Sequence, residues 1–327
     1  MPVQTDTTHE IGNARKAAVF VGLTFFLSYL LIGLYLALGG KWVAPWSMII
    51  AVLYMFIPMT VGIVVQKLIY KESVMGPLGV SFKLNRWFLV AWLLPPAAAI
   101  ATLGLSLLFP GVEYSPDMAG FYERFENVLS PEQLSRMKAQ AEVLPVHVFW
   151  IALIQGLVAG VTINAVAGFG EELGWRGLLQ KELGYLGFWR SSAVIGVIWG
   201  VWHAPLILQG HNYPQHPVPG VFMMTVWTLL LSPIFSYVRL KAKSVIGAAV
   251  MHGSLNATAG LALVVIKGGS DLTVGVTGLA GFIVLALVNV GIFVCDRAFT
   301  SGSVVAVRCE AGIDSMATGD RVDGMNN

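Results

Sequence analysis

Eight apolar runs, each about as long as a lipid bilayer requires of a helix, constrain this chain more than any other feature. They lie near residues 17–38, 46–66, 87–109, 146–170, 191–209, 220–238, 244–266 and 273–295. No alternating pattern of the barrel kind accompanies them, and helices satisfy their own backbone groups in lipid. Composition points the same way. Only 12 % of residues are charged and 56 % are hydrophobic, with a mean hydropathy of +0.73. A soluble globule has nowhere to bury that much apolar surface. The expected fold is all-α, a polytopic transmembrane bundle of about eight helices in contact with the lipid bilayer.

The same arithmetic excludes other classes. A net charge of +2 gives no basic excess, so no nucleic acid partner is expected. Cys295 and Cys309 make no disulfide framework and lack the spacing of a metal site. The first run is too long for a signal-peptide core and reads as a retained helix. With both termini cytoplasmic, fifteen Lys and Arg fall on inner segments. Five (Lys41, Arg124, Arg136, Lys138 and Lys267) fall outside. The positive-inside rule supports that orientation, in a bacterial plasma membrane or a eukaryotic endoplasmic reticulum.

Residues 1–16 then form a cytoplasmic segment, 17–145 the first spans and an outer loop, and 298–327 a flexible cytoplasmic tail. Within the loop, 111–145, Ser130-Pro131-Glu132-Gln133 has the form of a helix capping box. Leu134, Met137 and Ala141 follow on one face, a pattern suited to the outer membrane surface. Pro95 and Pro96 are expected to kink the third span.

Polar residues inside spans are costly and therefore mark functional positions. Three clusters stand out: Gly170-Glu171-Glu172-Leu173-Gly174-Trp175-Arg176-Gly177, Trp199-Gly200-Val201-Trp202-His203-Ala204-Pro205 and His252-Gly253-Ser254-Leu255-Asn256. Glu172 and Arg176 stand four apart in the order that favours a helical ion pair. Trp199 precedes His203 by four, and His252 and Asn256 share a face. Counted at 1.5 Å per residue from the nearest basic flank, Glu171, His203, His252 and Asn256 lie roughly 14–20 Å deep. Three helices thus bring polar groups to one level, and an active site inside the membrane follows.

Two chemistries fit those groups. A carboxylate beside an imidazole takes a proton from water and delivers it to a leaving group. A second His with an amide one turn on donates hydrogen bonds to a developing oxyanion. Alternatively, Glu171, His203 and His252 hold a divalent metal such as zinc, two His and one carboxylate leaving a position for water. Either arrangement suits peptide hydrolysis.

With these residues in view, the chain resembles the CPBP family of intramembrane proteases, which includes the type II CAAX prenyl endopeptidases and the bacterial Abi proteins. The family pattern is EExxxR, FxxxH and HxxxN on successive helices. Here it reads Glu171-Glu172…Arg176, Trp199…His203 and His252…Asn256, with Trp in place of Phe. The resemblance covers about 146–266, a catalytic core, and leaves 267–297 as a final span. It implies that Glu171 and His203 activate water, that His252 and Asn256 form the oxyanion site, and that Glu172 and Arg176 support them. It leaves the need for zinc open, although Asn256 is a better oxyanion donor than zinc ligand. The implied substrate is a membrane protein or lipidated peptide, prenylated CAAX termini among them. Two other functions compete: a non-catalytic immunity or scaffold protein, and a proton-coupled transporter.

Overall fold

The computed structural model describes residues 7–125, 130–299 and 303–305. Of the expected tail, residues 300–302 and 306–327 lie outside the described residues, Cys309 among them, as do residues 1–6. The chain runs through α1 (Thr7–Ala37), α2 (Trp46–Ile63, prolonged by a π-helical turn, Val64–Ile69) and α3 (Trp87–Ser106). The outer loop carries α4 (Ala119–Phe125) and α5 (Pro131–Glu142). Then come α6 (Val148–Gly160) and α7 (Ile163–Glu172), the latter running on as a π-helix (Leu173–Leu179) into α8 (Gln180–Glu182). The rest comprises α9 (Phe188–Trp202), α10 (Ala204–Ile207), α11 (Pro217–Ala242), α12 (Val245–Thr258), α13 (Leu261–Val264) and α14 (Leu279–Phe299). Two short strands, β1 (Glu113–Tyr114) and β2 (Ile266–Lys267), pair antiparallel, Glu113 opposite Lys267 and Tyr114 opposite Ile266.

The protein is a polytopic helical bundle. Among the described residues six helices are long and apolar enough to cross a membrane, and the bent pair formed by α6 and the α7–α8 stretch makes a seventh if it is one span. Two expected spans differ in form from a single rod. The run at 146–170 is broken after Gly160, its two arms meeting at 53°. The run at 191–209 is the 15-residue α9 followed by the single turn of α10.

Pro205 accounts for the second break. It lacks the N–H that would bond the carbonyl of Val201, so α9 cannot continue through it. Two tyrosines from distant helices supply the missing donors. Tyr29 of α1 donates its hydroxyl to the Val201 carbonyl at 2.8 Å, and Tyr54 of α2 donates to the Trp202 carbonyl at 2.5 Å. The Trp202 indole in turn donates to Ser28 Oγ at 2.8 Å. The first two helices thus fix the end of α9, where His203 sits.

Burial separates an inner from an outer set. The most apolar window of α12 is 67 % buried, against 28 % for α1, α2, α3 and α14, whose exposed apolar faces suit lipid. Helices approach α12 and α11 closely because glycines face them. A Cβ on Gly168 of α7 would lie 2.9 Å from both the Ala249 carbonyl and His252 Cβ. One on Gly200 of α9 would lie 2.5 Å from Thr225 Cα. Small residues let backbones meet where lipid gives helices no hydrophobic drive to associate.

The outer loop has its own small core. Ser130 caps α5 reciprocally with Gln133. Leu134, Met137 and Ala141 pack on Met118, Tyr122, Val264 and Val265. The apolar face of α5 therefore covers protein in this structure. His147 caps α6, its Nδ1 accepting from the Phe149 N–H at 3.0 Å while Nε2 meets the Pro116 carbonyl at 2.7 Å. Pro95 and Pro96 both lie inside a continuous α3.

Candidate active site

Gly168 seats α7 on α12 so closely that the next turn delivers Glu171 and Glu172 to His252. Glu171, Glu172, Arg176, His203 and His252 are all buried, and Trp175 and Trp199 wall them in. For charged residues this degree of burial is sustained only by pairing.

Glu171 is held by two indoles. Its Oε2 accepts from Trp199 Nε1 at 2.7 Å and from Trp175 Nε1 at 3.3 Å. Its Oε1 stands 3.8 Å from His252 Nε2. Glu172 faces the other side of the same imidazole, its Oε1 2.7 Å from His252 Nδ1. Arg176 reaches back along the helix, Nη1 lying 3.3 Å from Glu172 Oε1 and 3.2 Å from Oε2. Its guanidinium carbon also lies 4.4 Å from the Trp199 ring centroid and 4.8 Å from that of Phe235. Desolvated cation–π contacts of this kind contribute about 2 kcal/mol each. They replace water around a cation that has none.

His203 terminates α9 and its Nδ1 lies 2.7 Å from the Trp199 carbonyl. A carbonyl only accepts, so Nδ1 carries the proton there and Nε2 holds the lone pair of the neutral ring. Among the described residues Glu171 has its ion-pair contact with His252, and His203 joins the cluster through Trp199. Asn256 is placed apart. It lies one helical turn beyond His252 on α12 and is exposed. The structure thus brings Glu171, Glu172, Arg176 and His252 into direct contact, attaches His203 to them, and leaves Asn256 at the open edge.

The zinc expectation named Glu171, His203 and His252. Among the described residues no three His, Cys, Asp or Glu side chains are grouped so as to hold a metal ion. Each imidazole engages Nδ1, one with a backbone carbonyl and one with Glu172, and keeps Nε2 out of that bond. No step below passes through a metal.

Sequence reasoning set Trp199 four residues before His203 and missed the role of its N–H. Trp175 was quoted within a motif without a role, although its place four residues after Glu171 was a usable signal. Tyr29 and Tyr54 carried no local signal at all. Their partners lie 172 and 148 positions away.

Comparison with known proteins bears out the resemblance read from the three motifs. Residues 145–258 match the family model described as type II CAAX prenyl endopeptidase Rce1-like. The six site residues all fall within that stretch. A curated relative, "CAAX prenyl protease 2" of Methanococcus maripaludis, is 30 % identical over 96 residues, which cover 26 % of this chain and 34 % of the relative. The chain thus spans about a third of the length of the relative it matches.

Proposed function

We propose that this chain is an intramembrane endopeptidase that hydrolyses peptide bonds of membrane-associated substrates near the cytoplasmic face. One observation carries the reading: Glu171, buried among apolar helices, is pinned through one oxygen by two indoles while the other faces an imidazole. The match of the surrounding segment to a prenyl endopeptidase family supports it. Prenylated C-terminal peptides are the substrate class that the family description and the relative's name favour.

In this mechanism Glu171 is the general base and His203 Nε2 shares the attacking water. As the tetrahedral intermediate forms, the carbonyl oxygen gains charge. His252 and Asn256 donate to it, Asn256 from the open edge where a substrate backbone enters. Glu172 holds Nδ1 of His252, so the ring presents Nε2 inward. With Arg176 and a protonated His252, two positive groups balance the two carboxylates, which a low-dielectric site requires. The proton taken from water passes to the leaving amine.

New peptide termini in host membranes expressing the native protein or Glu171→Gln provide the test. Termini present only with the native protein are expected. Matching termini profiles from two equally folded, equally abundant proteins would sink the reading in favour of a scaffold or immunity role. Cleavage that survives a chelator is expected as well, and its loss would restore the zinc alternative.

A further inference from the structure

We propose that Trp199 is a positioning residue for Glu171, its indole N–H fixing which carboxylate oxygen is left free to act on water. The inference rests on the reading of Glu171 as the base. Trp199 is 1 % exposed and touches four of the six site residues. Its N–H donates to Glu171, its carbonyl meets His203 Nδ1, its ring centroid lies 5.6 Å from that of His252, and its face receives Arg176.

The reason such a group acts in this chain lies in the carboxylate itself. The terminal torsion of Glu is broad and roughly two-fold, so packing alone does not choose between its oxygens. The nearest ionisable neighbour is His252 Nε2, 3.8 Å from Oε1. An unrestrained Glu171 would turn to close on that imidazole and satisfy itself as an ion pair, with no lone pair aimed at water. The Trp199 N–H, at 2.7 Å, holds Oε2 on the far side, and Trp175 adds a longer contact to the same atom. Indole is a donor only, so it orients the carboxylate without competing for the proton that Glu171 must take.

The three motifs make the test clean, because the position held by Trp199 is Phe in the family pattern. Trp199→Phe keeps an aromatic ring and the carbonyl that holds His203, and removes the N–H. Its kcat should fall about tenfold with KM unchanged, as a lost hydrogen bond to a charged group implies. Trp175→Phe should lose less. A role in packing alone would instead lower thermal stability and leave kcat per folded molecule unaltered.

A second readout needs no substrate. In 15N-indole-labelled protein in detergent, the Trp199 N–H resonance, identified by its loss in Trp199→Phe or, where that variant does not fold, in Trp199→Tyr, should move upfield in Glu171→Gln, where a neutral amide replaces the carboxylate. A resonance indifferent to Glu171→Gln overturns the proposal even if Trp199→Phe fails to fold, and so does full kcat in a folded Trp199→Phe. A native protein that cleaves nothing overturns the endopeptidase reading and this role with it. An active native protein with an indifferent indole overturns the positioning role alone.

Discussion

The stretch from Ile163 to Glu182 is gripped by charge at its middle and at its foot, and the two places use different physics. At its foot, Lys16 lies 2.8 Å from Glu72 and 3.1 Å from Glu182, while Lys181 lies 3.3 Å from Glu72 and 3.2 Å from Glu182. Two lysines and two carboxylates close a ring in which every charge meets two of the opposite sign. Gln66 adds a 3.0 Å bond to Glu72. The upper cluster has the same number of carboxylates but one permanent cation, Arg176, and an imidazole where the second would stand. Lysine would lock such a site, whereas histidine holds or releases a proton near neutral pH. The ring below ties α1 to the motif helix; the cluster above holds an imidazole between two carboxylates.

Exposure sharpens the contrast. The Glu72 side chain is 41 % exposed, whereas Glu172 and Arg176 are fully buried. Solvent screens Glu72 more than the fully buried Glu172–Arg176 pair, so the same kind of substitution should cost very different amounts in the two places.

The largest effect expected is on catalysis. Glu171→Gln and His203→Ala should each reduce cleavage by about 10²–10⁴-fold while the protein still inserts, which a peptide-release assay on purified protein checks. Full activity in either variant removes the proposed base pair. Next, Arg176→Ala leaves Glu172 buried without its cation. A loss of about 3–5 kcal/mol is expected, read as a lower thermal midpoint and folded yield in detergent. An unchanged midpoint would mean that neither the ion pair nor the cation–π contacts of Arg176 stabilise that helix. Smallest is Glu72→Gln, expected at about 1 kcal/mol or less and shrinking with added salt.

Glu72 also sets a pH dependence. Burial raises its carboxyl, but the Lys16 hydrogen bond and the charges of Lys181 and Lys16 outweigh that and hold it below the usual carboxylate range. The folded pKa is therefore the lower one. Its contribution is present above the ordinary carboxylate pKa and is lost as pH falls through the lowered value. Thermal midpoints measured down an acid series should fall more steeply in the native protein than in Glu72→Gln. Parallel curves would show that the ring contributes no linkage.

The apolar runs and the three polar clusters could be read from the chain, because each is a local pattern. Apolar run length sets whether a segment can cross lipid, and a carboxylate or imidazole in such a run is conspicuous one residue at a time. The pairing of Glu172 with Arg176 needed only the helical repeat. The break at His203 was also local in cause, since Pro205 follows two residues later. What it required of the rest of the molecule was not.

Tertiary structure alone decided which groups meet across helices. It placed His252, and not His203, against Glu171, and it left Asn256 at an open edge. It brought the hydroxyls of Tyr29 and Tyr54 to the carbonyls freed by Pro205, and the Trp199 indole to a carboxylate 28 positions away. It also set Leu134, Met137 and Ala141 of the outer-loop helix against Met118, Tyr122, Val264 and Val265. Periodicity tells which face of a helix is apolar or polar. In a chain whose helices are apolar on nearly every side, it does not tell which neighbour that face will touch. That choice falls to glycine contacts, a bent helix and a few buried hydrogen bonds, all of them formed between residues far apart in sequence.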